Sequence, residues 1–155
     1  MLPWDHPAPF VIERTVGEGD IDGLEHTNNA VYVQWCEQAA WAHTEALGLD
    51  LAAYRTLDRA MAVIRGEYDY LAASRLGDRL AIATWITGWD RRLTMKRAFQ
   101  VCREEDGATL LRGTMTFACI EISTGRPRRM PPVFIEVYGP AIVEPGAPDS
   151  EPGEA

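Results

Sequence analysis

Gly19–Trp35 reads GDIDGLEHTNNAVYVQW, and the assignment of its two halves decides the architecture. The first half is acidic and rich in turn formers. The second opens an alanine-rich run, NAVYVQWCEQAAWAHTEAL, that continues from Asn29 to Leu47. That run holds no Gly or Pro and only two charged residues, Glu37 and Glu45. It predicts one long helix, apolar on most faces and therefore buried. Thr27 or Asn28 can cap its start, and Gly48 suits the position that ends it. A short second helical piece is expected around Asp50–Leu57.

Outward from this helix the chain reads as strands. PFVIERTV (Pro9–Val16) precedes it, and four further runs follow: Ala60–Ala72, Arg79–Trp89, Leu93–Glu104 and Thr109–Ser123. SRLGD, DRR and EDGA separate them, the last a hairpin signal with Asp106-Gly107 at its tip. A strand, a long buried helix and four antiparallel strands imply an α+β fold, one antiparallel sheet wrapped around a central helix. One sheet face cannot cover so apolar a helix. A partner subunit is expected, giving a homodimer or homotetramer.

At 155 residues, 46% hydrophobic and 25% charged, the chain suits one soluble domain. We place that domain at 1–139 and read the Pro-, Gly- and Glu-rich 140–155 as a disordered acidic tail. Four acidic and no basic residues follow Gly139, so the tail carries half of the net charge of −8. A mildly acidic body argues against nucleic-acid binding. No run of about 18 apolar residues exists, so no membrane span is expected. MLPWDHPAPF lacks the basic start and apolar stretch of a secretory signal. Cys36, Cys102 and Cys119, odd in number and without C-x-x-C spacing, read as buried free thiols in a reducing, cytoplasmic setting. Basic residues cluster in DRRLTMKR (Asp90–Arg97) and TGRPRRMP (Thr124–Pro131), both expected to be solvated turns by composition.

A helix that begins near Asn28 leaves backbone N–H groups unpaired and directs partial positive charge outward. Such an end can hold the oxygen of a polarised carbonyl, as acyl transfer requires. Asp22, in the incoming loop, can attack an acyl carbon or activate a water. His26, Asn28 and Asn29 can fix substrate, water and loop. DIDGLEHTNN lacks the ligand pattern of a calcium loop, and three dispersed histidines do not make a metal site. No nucleophile elbow, P-loop or dinucleotide fingerprint is present. Cys36, in mid-helix, is expected to pack.

GDIDGLEHTNNAVYVQWCEQA resembles the signature of hotdog-fold acyl-CoA thioesterases of the 4-hydroxybenzoyl-CoA thioesterase type. Asp22, His26, Asn28, Asn29 and Tyr32 keep its spacing, with Glu25 where that family usually has Gly. VIRGEYDYLAASRLGDRL is similar to the family's next strand, and STGRPRRMP to its terminal turn. The resemblance covers roughly Phe10 to Tyr138. It implies a hotdog fold, Asp22 as the catalytic carboxylate, a helix N-terminus that polarises the thioester carbonyl, and a site at a dimer interface. The stretch also resembles the acyl-carrier-protein thioesterases. From these His26 and Glu67 are carried over as further site candidates, while Leu24 replaces their Asn.

The expected function is hydrolysis of an acyl-CoA, or acyl-ACP, thioester to free acid and thiol without a cofactor. Asp22 serves as nucleophile or as general base. Arg126, Arg128 and Arg129 are expected to bind the phosphates of coenzyme A. The rival readings are a non-catalytic acyl-CoA binding or sensing module and a hydratase or dehydratase that uses His26 with an acid. Tyr32, Trp35, Trp41 and Met61 can line an acyl pocket or pack the core, and packing is the expectation for each.

Overall fold

Helix α1, Asn29–Ala46, forms where the composition places it in the computed structural model, which describes residues 1–144. Asn28 caps its start, its Oδ1 accepting the Ala30 N–H at 3.0 Å. At the other end Gly48 sits at φ 104° and donates to the Glu45 carbonyl, while Leu49 donates to that of Thr44. These two bonds close the helix as a Schellman motif. Helix α2, Leu51–Leu57, follows, capped by Asp50 on the Ala53 N–H at 2.8 Å.

Burial of α1 is one-sided, which corrects the expectation of a helix covered on most faces. Tyr32, Trp35, Cys36, Ala39, Ala40 and Thr44 are buried, at the spacing of a single stripe. Glu37, Gln38 and Glu45 are exposed, and Trp41 retains 43% of its surface. Alanine raised the apolar count without widening the stripe, because it is favoured on any face of a helix.

Five strands form one antiparallel sheet: β1 (Phe10–Thr15), β2 (Arg59–Tyr70), β3 (Arg79–Trp89), β4 (Thr94–Arg103) and β5 (Thr109–Glu121), in the order β1-β3-β4-β5-β2. The hairpins β3–β4 and β4–β5 are local, but β2 lies at the far edge from β3 and pairs with β5. The sheet face that carries Ile82, Phe99, Met115 and Phe117 packs with α1 into one core. Gly113 allows a close approach there: a Cβ on it would stand 2.7 Å from Tyr68 Cδ1. Trp85 occupies the opposite face and is covered by the N-terminal segment. Its Nε1–H donates to the Pro7 carbonyl at 3.0 Å, and Trp4 and His6 pack edge-on against its ring.

A third helix, α3 (Pro132–Tyr138), was not expected from a proline-containing stretch. Pro132 sits at its first turn, where the missing N–H costs nothing, and Phe134 and Tyr138 fill the space beside α2. The chain beyond 139 stays attached for longer than the expected tail boundary. Gly139–Ala141 make a 3₁₀ turn, Ile142 bridges to Ile86, and the Val143 N–H donates to the Ile86 carbonyl at 2.9 Å. The remainder of that expected tail, 145–155, lies outside the described residues. Among those residues no helix is long and apolar enough to cross a membrane. All three cysteines are buried free thiols, and burial pushes Cys36 up to about 12.

Candidate functional site

The loop before α1 is tied at several points. The Asp20 carboxylate accepts the Gly17 N–H at 2.8 Å, and its carbonyl accepts the Asn28 N–H at 2.8 Å. Asp22 closes the next turn. Its N–H donates to the His26 carbonyl at 2.8 Å, and its Oδ1 accepts the Leu24 N–H at 2.9 Å and, weakly, the His26 N–H at 3.4 Å. Among the described residues nothing donates to Oδ2, and the side chain stands in solvent. Glu25 holds φ 63°, a left-handed conformation that favours glycine and that a Glu enters at a cost of about 1–2 kcal/mol. The family's usual Gly at this place thus has a backbone cause.

Thr27 anchors the loop from beneath. Its N–H donates to the Ser74 carbonyl at 2.9 Å, and its hydroxyl lies 2.7 Å from Ser74 Oγ. Ser74 is fully buried and also makes a very short hydrogen bond to the Tyr32 hydroxyl. Ser74 escaped the sequence reading because SRLGD looks like an exposed turn, and only the tertiary fold closes α1 over it. Tyr32 and Trp35 pack the core as expected.

Asn28 spends its side-chain oxygen on the helix cap, so that atom is engaged structurally. The Asn29 N–H has no acceptor among the described residues, and the carbonyl of Asn29 accepts from the Tyr70 hydroxyl at 3.5 Å. His26 is half-buried and forms a backbone bridge with Arg75. Asp22, His26, Asn28 and Asn29 are therefore gathered on one loop and the helix start.

Glu67 does not join that group. A bulge between Val63 and Arg65 reverses the side-chain alternation of β2. Gly66 and Tyr68 consequently share the face of Met115 and Gly113, toward α1, while Glu67 pairs with Thr114 on the other face. There it makes a very short ion pair with Arg65. The arginine turn is also distant from Asp22 within one chain. The Arg128 N–H donates to the Cys119 carbonyl at one end of β5, whereas Tyr70, which reaches Asn29, pairs with Leu111 at the other. Eight residues of strand separate those levels, about 26 Å. Arg128 pairs with Glu121 at 3.1 Å, while Arg126 and Arg129 make no ion pair among the described residues.

A second feature lies further along α1. Thr44 and Trp41 of α1, Val63 of β2, Phe117 of β5, Tyr54 of α2 and Tyr138 of α3 surround a cavity of about 190 Å³. Trp41 and Met61 border this cavity, Trp41 half-exposed and Met61 buried in the core. Arg97 also lines it, only 1% exposed, although the Asp90–Arg97 cluster was expected to be a solvated turn. The signal was available: Met95, Arg97, Phe99 and Val101 share one strand phase, and Arg97 sits among its apolar members. Arg97 Nη1 lies 2.9 Å from His43 Nδ1 and donates to Thr84 Oγ1 at 3.5 Å, and Nη2 donates to Thr44 Oγ1 at 3.1 Å. Burial, helped by the Arg97 charge, lowers His43 to about 4. Burial likewise lowers Arg97 to about 10, which leaves it charged at neutral pH. Tyr54 and Tyr138 share a very short hydroxyl–hydroxyl bond, and burial raises both phenols, so both are neutral.

Residues 16–137 match the thioesterase-like superfamily. The hypothetical protein SAV2348 from Staphylococcus aureus, solved in complex with CoA, is similar with a TM-score of 0.83 at 20% identity, covering 96% of this chain and 94% of that one. Slr0204, a 1,4-dihydroxy-2-naphthoyl-CoA thioesterase from Synechocystis, is similar with a TM-score of 0.75 at 22% identity, covering 87% of this chain and 96% of that one. Protein THEM6 from Danio rerio is 36% identical over 85 residues, which are 55% of this chain and 42% of that protein. The chain thus matches less than half the length of that relative. The solved structures share the hotdog arrangement of an antiparallel sheet around a long helix, as expected from the signature. Through a match spanning most of its length, the chain belongs to the thioesterase-like superfamily.

Proposed function

We propose that this protein hydrolyses an acyl-CoA thioester. The observation that carries the reading is an exposed Asp22 carboxylate on the same tied loop as an unpaired Asn29 N–H, at the start of an 18-residue helix. The helix start, with its partial positive charge, takes the thioester oxygen and stabilises the negative charge that develops on it. Asp22 either draws a proton from water or attacks the acyl carbon itself, forming an anhydride that water then opens. In both routes a C–O bond forms, the C–S bond breaks, and the thiol leaves with a proton. Asn28 and the Thr27–Ser74–Tyr32 hydroxyls act as positioning residues. CoA-bound SAV2348 and the CoA thioesterase Slr0204 among the similar structures support coenzyme A as a carrier.

The working unit we propose is a homodimer joined along β2, with pairing of dimers into a tetramer left compatible. This strand is a sheet edge, and it exposes Val63 (43%), Ile64 (61%) and Tyr70 (43%), with Leu71 (51%) just beyond it. Such an edge is a template for another strand. A two-fold axis would run the two β2 strands antiparallel, setting the Tyr70 end of one beside the Val63 end of the other. The partner's Asp22 would then approach this chain's cavity and its Arg126–Arg129 turn. That arrangement removes the distance between carboxylate and arginines seen within a single chain, and it lets Arg126, Arg128 and Arg129 meet the phosphates of coenzyme A. The buried, unpaired thiols fit a cytoplasmic setting.

The test is thiol release from a panel of acyl-CoA substrates by the wild-type protein and by Asp22→Asn. Hydrolysis that depends on Asp22 supports the reading. An Asp22→Asn variant as active as wild type overturns the site.

A further inference from the structure

We infer that the acyl group taken by this protein carries its own negative charge, a carboxylate at the far end of a short chain, which seats on the Arg97 guanidinium in the cavity between α1 and the sheet. The inference rests on the thioesterase reading for its chemistry, but its geometry is independent of Asp22.

Arg97 is a buried cation with no ion-pair partner among the described residues. Its partners, His43 Nδ1 and the hydroxyls of Thr44 and Thr84, are all neutral. His43 must be unprotonated for Nδ1 to accept a hydrogen bond, and the lowering of its pKa to about 4 agrees. Phe117 adds a ring face at 6.0 Å. Among the described residues no Asp or Glu lies within 4.0 Å of the guanidinium. The one acid lining the cavity is Glu37, exposed on α1, where water screens it. The C-terminal end of α1, which holds His43 and Thr44, supplies partial negative charge of about half a unit. That offsets part of the cation and leaves the rest.

Buried charges are ordinarily paired, because the attraction of the partner is what repays desolvation. Here the donors also remain. A guanidinium has five N–H groups, and the three bonds observed leave the Nε–H and one Nη2–H, a pair that suits the two oxygens of a carboxylate. The cavity supplies the rest of the ligand's environment, with apolar walls from Met61, Val63, Met95 and Phe117. At about 190 Å³ it is smaller than the roughly 300–1,000 Å³ usual for ligand pockets. A cavity of this size suits a short acyl end, and a plain alkyl one leaves the cation unanswered. A short ω-carboxyacyl group answers it.

The experiment compares glutaryl-CoA with pentanoyl-CoA, equal in carbon number and different in terminal charge, on wild type, Arg97→Met and Arg97→Lys. Free glutarate and pentanoate are titrated calorimetrically into the same proteins. The expected result is a wild-type kcat/KM at least 10-fold higher for glutaryl-CoA. Arg97→Met should lose or invert that preference, and Arg97→Lys should keep part of it; glutarate should bind wild type and not Arg97→Met. Equal or reversed wild-type preference, or a preference that survives Arg97→Met, overturns the inference. If Arg97→Met fails to fold, the wild-type comparison and Arg97→Lys still decide, since Lys must retain a preference for the anion. If neither thioester is hydrolysed but glutarate binds through Arg97, the thioesterase reading fails and the anion site stands. If pentanoyl-CoA is hydrolysed as well as glutaryl-CoA, the thioesterase reading stands and the anion site fails. Absence of both hydrolysis and glutarate binding removes both.

Discussion

Replacing Asp22 with Asn separates charge from shape at an exposed carboxylate of the tied loop. The amide Oδ1 can still accept the Leu24 and His26 N–H groups, so the turn before α1 survives. What weakens is a charge-assisted bond, and in solvent the difference from a neutral one amounts to about 1 kcal/mol at most. For a chain of this size that shifts Tm by about 2–4 °C. The helix start keeps its unpaired Asn29 N–H, so substrate binding, read as KM, should stay within about 3-fold. The amide can neither take a proton from water nor form an anhydride, and kcat should fall by roughly 10²–10⁴. In barrier height that loss is about 2.7–5.5 kcal/mol. Thiol release gives kcat, and a melting curve on the same sample excludes unfolding as the cause. Asp20→Asn is the control, because its carboxylate is bonded to the Gly17 N–H and does not face solvent chemistry in the same way. The reasoning is refuted if Asp22→Asn retains more than a tenth of the wild-type kcat, or if it loses activity only in proportion to a collapse in Tm.

Alanine at Arg126, Arg128 and Arg129 should raise KM for acyl-CoA about 10-fold or more and leave thioesters without the nucleotide unaffected; equal losses on both would mark the turn as structural. The Arg128–Glu121 bridge is more than half exposed on its arginine side, so its removal should cost at most about 1 kcal/mol. Lysine in place of both Val63 and Ile64 should turn the β2 edge into a repelling one and yield monomers by light scattering, with activity lost in parallel; an active monomer would remove the dimer from the proposal. His43 is held neutral by burial, its pKa lowered from 6.5 to about 4. The unfolded chain therefore binds the extra proton first, and stability present above pH 6.5 is lost as pH falls toward about 4. Tm measured across that window should decline, and the decline should be shallower in His43→Gln.

Much of this protein is decided within short windows of its sequence. The length of α1, its Asn28 cap and its Gly48 stop are local events, as are the hairpin turns, because each depends on neighbours a few residues away. The grouping of Asp22, His26, Asn28 and Asn29 was readable for the same reason: all four lie within eight residues of one loop and its helix start. Even the Glu25 departure has a local cause in a left-handed backbone. The fate of Glu67 was different. Side chains alternate along a strand, so one extra residue at the Val63–Arg65 bulge turns every later side chain of β2 to the opposite face, and no local signal in β2 marks that insertion. The basic cluster divided in the same manner. Arg91 and Arg92 stay in the solvated turn, whereas Arg97 is buried because the register of β4 places it beneath His43 and Thr44, more than fifty residues away. Which faces of α1 are covered, that Ser74 lies under the loop, and that Arg97 meets a cavity with no ion-pair partner among the described residues all depend on contacts between segments remote in the chain. Residue type and spacing set the elements and the local chemistry; strand register and packing decide which side chains come together.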